Sequence, residues 1–305
     1  MPISHYLKEI GRGKRAARAL TREQAQDLFG QILDGKVSDL EIGAFCLAMR
    51  IKGETPDEMC GFLDALHLRT QKTPASQKPT VIIPSYNGAR RLPVLTPLLA
   101  LLIARERLPV LLHGMRTESH RVLASEVLSA LGTPIYNVGE AIPDGTIALT
   151  NTADFSPGLA QLLAAREIIG LRNTGHSVAK LFTPCEGSSL LISSYTHLEY
   201  LHVMKATCES LGMNALLSRG LEGEVAADPR RSPRYDAFIG GAHLLLEEQQ
   251  PGTASYVEGL PEKIDVETTA IFTRKVLDEK LPIPAAISKQ VALISQLGQQ
   301  IHTEI

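Results

Sequence analysis

Three capping boxes stand between residues 21 and 58, each a hydroxyl residue followed three positions later by Glu or Gln. They are Thr21 with Gln24, Ser38 with Glu41, and Thr55 with Glu58. In each pair the hydroxyl accepts from the later residue's backbone N–H and the later side chain reaches back, so three helix starts are fixed by local chemistry. Pro56 at a first helical position reinforces the last start, and Gly35 and Gly53 are placed to end the helices before it. Apolar residues follow at helical spacing: Ala25, Leu28, Phe29 and Ile32; Ile42, Phe45, Cys46 and Met49; Met59, Phe62, Leu63 and Leu66. With a short helix from Ser4 to Ile10, residues 1–72 read as a small α-helical domain. So small a bundle supplies too little partner surface for its own stripes, so a homodimer contact through this domain is expected.

The pattern changes after residues 71–80, a polar stretch with two prolines that reads as a hinge. Strands are predicted at 81–83, 109–113, 135–138, 146–149, 189–193 and 215–218. Helices are predicted at 96–107, 119–131 and 196–211, the last capped by Thr196 with Glu199, and from Val266 and Ala285. Alternation of this kind predicts an α/β domain with a mostly parallel central sheet, over 80–156 and 183–305. It lapses at 157–169 and 176–182, two helical stretches with no strand between them. Residues 219–262 are rich in Gly, Pro and charge and carry no assignment.

At 44% hydrophobic and 21% charged residues this is an ordinary globular composition. Four scattered cysteines without a C-x-x-C pair read as buried free thiols and fit a reducing compartment. The first ten residues lack the apolar core of a signal peptide, and the run 92–104 is too short to span a bilayer. A cytoplasmic protein with no membrane partner is expected. Net charge is −2, yet residues 1–22 carry six basic residues against Glu9 and residues 82–121 carry six against Glu106 and Glu118. Such segregation makes a local basic face possible on a nearly neutral molecule; solvated helix faces are the plain alternative.

The chemistry is expected where strands end. Residues 82–93 run from a β-branched pair through Ser85, Asn87 and Gly88 towards a leucine-rich helix, an order that presents free N–H groups to an anion. Arg90 and Arg91 add fixed charge there. His113 and Gly114, followed by Arg116, end the next strand, and Arg172 and Lys180 lie in the helical insertion. Glu222 and Glu224 could hold a divalent cation through hard oxygen ligands, although acidic loops are usually only solvated. No Walker loop, G-x-S-x-G or His/Cys metal cluster is present.

The whole arrangement resembles the anthranilate phosphoribosyltransferase family. The resemblance is carried by Leu-Thr-Arg-Glu-Gln-Ala (20–25), Asp-Gly-Lys-Val-Ser-Asp (34–39), Arg-Ile-Lys-Gly-Glu-Thr-Pro-Asp-Glu (50–58), the His-Gly-x-Arg of 113–116 and the Gly-Leu-Arg-Asn-Thr of 170–174. It implies a helical domain hinged to an α/β domain, the 157–182 insertion packed on the bundle, a homodimer and a diphosphate pocket in the cleft. The chain also departs from the enzymes. Their Gly-Thr-Gly-Gly-Asp loop appears as residues 85–89, with Tyr86, Asn87 and Ala89 adding Cβ atoms where a diphosphate must approach. Their Lys-His-Gly-Asn-Arg appears as residues 112–116, and their magnesium-holding Asp-Glu pair falls near Gly223 and Glu224. These departures, with residues 84–90, 9–14 and 222–225, look like the YbiB-type paralogues. That likeness implies sequence-independent binding of single- and double-stranded nucleic acid, no cofactor, and no phosphoribosyltransferase activity. The contacts expected are Lys14, Arg15, Arg90, Arg91, Arg116, Arg172 and Lys180, with a residual phosphate site at Ser85, Asn87, Gly88, His113 and Gly114. The alternatives are an active transferase using phosphoribosyl diphosphate, Mg2+ and an aromatic acceptor, or a scaffold for an acidic protein.

Overall fold

A computed structural model describes residues 3–13, 15–136 and 139–303. All three capping boxes form. They open α2 (Arg22–Leu33), α3 (Asp39–Lys52) and α4 (Pro56–His67), which follow α1 (Ser4–Ile10). Phe29, Phe45 and Phe62 meet at the centre, with ring centroids 4.9 to 6.3 Å apart. The Glu58 carboxylate is buried and receives Lys52 Nζ at 2.6 Å, the Leu20 N–H at 2.9 Å and the Thr55 N–H at 2.9 Å. A residue recruited to cap α4 therefore also ties the preceding chain to it.

An eight-stranded sheet follows: β1 (Thr80–Pro84), β2 (Val110–Gly114), β3 (Ile135–Tyr136), β4 (Ile147–Asn151), β5 (Ser189–Tyr195), β6 (Ala215–Arg219), β7 (Tyr235–Ile239) and β8 (Ala242–Glu247). Its order is β3-β4-β2-β1-β5-β6-β7-β8, parallel from β3 to β6 and antiparallel beyond. The period-two alternation of β strands sorts side chains between two cores. Ile82, Leu111, Leu191 and Leu217 face the bundle and share its core. Val81, Ile83, Leu112 and Ile192 face α5 (Thr96–Arg105), α6 (Ala124–Ala130), α11 (Val266–Leu277) and α12 (Ala285–Thr303) on the other side.

After the four-residue α7 (Thr152–Phe155), α8 (Pro157–Ile169) and α9 (Thr174–Ala179) return to the bundle side. There α8 packs on α2 and α3, and α9 on α3 and α4. The approach is close: a Cβ on Gly158 would lie 2.2 Å from the Leu33 carbonyl oxygen. The Glu54 carboxylate accepts from Thr174 at 2.8 Å and Arg50 donates to the Arg172 carbonyl at 3.1 Å. Chain order runs outwards from β1 through β2 to β4 and then returns to β5 on the other side of β1. The carboxyl ends of β1 and β5 therefore flank a topological switch point, where open α/β sheets bind ligands.

Five expected bounds shift. Helix α6 begins at Ala124 instead of 119, because Val122 and Ala89 exchange backbone hydrogen bonds and keep that segment extended. Strand β5 runs on to Tyr195 in register with Arg219, so α10 (Leu198–Ser210) starts later and Thr196 does not cap it. Helix α9 starts at Thr174 under an Asn173 cap and ends at Ala179, not 182. Residues 137 and 138 of the strand expected at 135–138 lie outside the described residues.

The β7–β8 hairpin falls in the stretch that the sequence leaves without assignment. Its turn places Gly240 and Gly241 at φ 52° and 83°, the primed geometry that suits a two-residue hairpin loop. All four cysteines are buried free thiols.

Candidate functional site

At the switch point, β1 ends in the turn 85–89. The close packing of β1 on β2 there needs Gly114, where a Cβ would stand 1.9 Å from the Ser85 carbonyl oxygen. Gly88, at φ 60°, bends the turn so that its N–H and that of Asn87 point the same way. Both donate to Glu224 Oε1, at 2.9 Å from Asn87 and 2.8 Å from Gly88. The hydroxyls of Ser85 and Thr96 donate to Oε2 at 2.7 and 2.8 Å. Thr96 opens α5, whose first turn holds no acid of its own; the Glu224 carboxylate supplies the negative charge that a helix N-terminus favours.

Glu222 repeats the arrangement one turn further on. Its Oε2 accepts from the backbone N–H groups of Arg90 and Arg91 at 3.0 and 2.9 Å, while Oε1 lies 3.6 Å from the Arg121 guanidinium. To present both carboxylates to the turn, Glu222 adopts φ 53° and Gly223 φ 90°. A left-handed glutamate costs on the order of 1 kcal/mol, which this many hydrogen bonds can offset. Asn87 Nδ2 and Ser194 Oγ both donate to the Gly223 carbonyl, at 2.7 and 3.0 Å. The groups facing these carboxylates are N–H and O–H donors, so the donor set suits an anion and does not fit a magnesium ion. Among the described residues no group of three or more His, Cys, Asp or Glu could hold a metal.

His113 is fully buried between the rings of Phe155, Phe182 and Tyr86. The Thr152 hydroxyl donates to Tyr86 at 3.1 Å, leaving the tyrosine proton for His113 Nδ1 at 2.8 Å. Burial pushes the imidazole down to about 3. This neutral histidine is buried behind the turn.

The cations divide into engaged and unengaged sets. Arg116 is engaged: it reaches Glu126 at 2.6 Å and the Glu118, Ser119 and Arg121 carbonyls at 3.0 to 3.3 Å. Glu118 gathers Arg121 at 2.8 Å, Arg166, and Arg90 at 3.9 Å. Burial acts to raise the Glu118 carboxyl, but the Arg121 hydrogen bond and the charges of Arg121 and Arg166 outweigh it and hold it low. Among the described residues Arg172 has no carboxylate partner, and burial first, then Arg166 and Arg121, depress it to about 10. Lys180 donates only to the carbonyl and hydroxyl of Ser194, at 2.9 and 3.4 Å.

Arg15 and Arg91 are exposed and Arg90 is half exposed. Lys14 lies outside the described residues. Sequence reasoning missed Glu118, Arg121, Arg166 and Thr96. Arg121 is visible in the sequence only as one charge in a basic segment, and nothing in chain spacing says that Arg166 meets it at Glu118.

Residues 4–68 match the model of the glycosyl transferase family helical bundle domain. Over 299 residues the chain is 40% identical to YbiB of Escherichia coli (strain K12), covering 96% of this chain and 93% of that one. Identity to the anthranilate phosphoribosyltransferase of Beijerinckia indica subsp. indica is 29% over 198 residues, 64% of this chain and 58% of the enzyme. Among solved structures, the anthranilate phosphoribosyltransferase of Thermus thermophilus superposes with a TM-score of 0.73 at 22% identity, covering 98% of this chain and 89% of that one. The Saccharomyces cerevisiae enzyme in complex with PRPP and Mg gives 0.71 at 14% identity, covering 99% and 90%. These two likenesses show a shared fold. With the sequence match to YbiB over nearly its whole length, the chain belongs to the YbiB-type branch of the anthranilate phosphoribosyltransferase family.

Proposed function

We propose that the chain is a dimeric, sequence-independent nucleic-acid-binding protein on a phosphoribosyltransferase fold, without phosphoribosyltransferase activity. The observation that carries the second half is the occupation of the turn. The Asn87 and Gly88 amides and the Thr96 hydroxyl already donate to Glu224, and the Arg90 and Arg91 amides to Glu222. Phosphoryl leaving groups need such donors free and a metal beside them. Here the chain's own carboxylates hold the donors and would repel a diphosphate.

The first half rests on cations. Among the described residues Arg15 and Arg91 reach solvent without a carboxylate partner, Arg90 has only a long ion pair, and Arg172 has none. Arg116 is held inside its own loop and Arg172 and Lys180 are half-buried, so these three act more weakly than the others in this reading. Isolated cations on a surface of mixed charge suit phosphate contacts, which fix position without reading bases.

For the dimer, α3 exposes Leu40, Leu47 and Ile51 at 84%, 44% and 59%. With Ala44 between them they make one helical stripe, which a two-fold contact would bury on both copies.

Fluorescence anisotropy with labelled single-stranded and duplex oligonucleotides of unrelated sequence tests the reading. Similar affinities that fall steeply with salt are expected. No binding at low salt, or strong preference for one sequence, would overturn it. In a parallel assay with anthranilate, phosphoribosyl diphosphate and magnesium, no diphosphate release is expected; release in proportion to protein would restore the enzyme.

A further inference from the structure

Lys180 follows α9, half-buried beside the cleft. Its Nζ donates to the Ser194 carbonyl at 2.9 Å and the Ser194 hydroxyl at 3.4 Å. That hydroxyl gives its own proton to the Gly223 carbonyl at 3.0 Å, so towards lysine it acts as an acceptor. Among the described residues no carboxylate pairs with Nζ. Glu224 is the carboxylate whose field it feels, but both Glu224 oxygens are taken by Ser85, Asn87, Gly88 and Thr96. A neutral amine has two hydrogens, and here both have acceptors on Ser194, which leaves the nitrogen lone pair directed away from them. Arg172 beside it also lacks a counter-ion. The neighbouring His176 is buried and neutral, with its Nε2 unpartnered. The cluster therefore offers a nucleophile next to an uncompensated cation.

We propose that Lys180 is a nucleophilic amine and a site of acylation by acyl phosphates, whose phosphate end Arg172 recruits. The Nζ lone pair adds to the acyl carbon, the bond from that carbon to the bridging oxygen breaks, and inorganic phosphate leaves with the electron pair. The ammonium proton passes to the departing phosphate, and an amide remains on Lys180. Burial first, and then Arg172, lower the lysine to about 8 against the opposing pull of Glu224. Near neutral pH such a group holds on the order of a hundredfold more free amine than an ordinary lysine. The charged groups that set this balance are Arg172 and Glu224, beside a neutral His176.

The test uses the full chain and acetyl phosphate, with acetylation at each lysine followed by peptide mass spectrometry. Lys180 is expected to react at least about tenfold faster than the exposed Lys8 and Lys275. Its rate should saturate with reagent concentration and rise with pH through an inflection near 8. Arg172→Ala, checked by its melting curve, should lose the saturation while Lys180 still reacts with a neutral acetyl ester. Reaction of Lys180 no faster than the exposed lysines overturns the proposal. So does a rate linear in acetyl phosphate for the unmodified chain, or saturation that survives Arg172→Ala.

Discussion

Glu224 accepts four hydrogen bonds on two oxygens, and removing it would leave two amides and two hydroxyls facing a buried void. Glu224→Ala is expected to cost roughly 3 kcal/mol or more, since unsatisfied buried donors lose their full partner energy. Added formate or phosphate should then raise the Tm of the variant and leave the unmodified chain unmoved. Equal response of both proteins would mean that the donors are not an anion site. Two buried histidines, His113 and His176, and the partly buried His67 make a separate prediction. Burial, with nearby cations for His67 and His176, lowers His67 to about 4 and His113 and His176 to about 3, from an ordinary 6.5. Their folded values lie below the unfolded one, so the stability they confer is present above 6.5 and lost as pH falls towards those folded values. Each contributes about 1.4 kcal/mol per pH unit inside that window. Glu54, raised chiefly by burial, acts in the opposite sense, one group against three. Denaturant midpoints should therefore decline from 6.5 down to about 4; a flat profile would contradict the buried neutral imidazoles.

Elements differ in how well the sequence announces them. Helices α2 to α4 are legible because each begins with a reciprocal side-chain pair, a signal that needs no tertiary context. The central strands are legible because burial on both faces leaves them uniformly apolar. The β7–β8 hairpin is not, for a physical reason. Strand β7 carries Asp236 fully buried among Arg234, Lys205 and His243, at 2.7 to 3.3 Å, and β8 is a half-exposed edge. Neither shows an alternating pattern. The turn 85–89 reads as an anion site from strand, turn and helix order alone. Its filling by Glu222 and Glu224 does not, because a contact across more than 130 positions leaves no local trace. Helix α3 carries its own prediction. Leu47→Lys with Ile51→Lys should convert a dimer to a monomer in sedimentation, with little change in Tm because both side chains are exposed. An unchanged mass would remove α3 from the interface.

Over the whole molecule, the two basic segments lie on a chain of net charge −2. Much of the charge near the cleft is already balanced within the fold: Arg121 and Arg166 at Glu118, Arg116 at Glu126. What remains for a polyanion is a smaller set, in which Arg90 and Arg91 project from the turn whose amides Glu222 holds. Their side chains can contact phosphate while their backbone stays fixed. The most direct measurement is the salt dependence of oligonucleotide binding for Arg90→Ala with Arg91→Ala against the unmodified chain. Each phosphate neutralised contributes roughly −0.9 to the slope of log K against log salt on duplex DNA, so loss of both arginines should make that slope shallower by about two. Affinity should fall by the same factor for every sequence tried. An unchanged slope and affinity, with a lowered Tm in the variant, would mean that the two arginines serve the fold alone and would contradict the cleft as the binding surface.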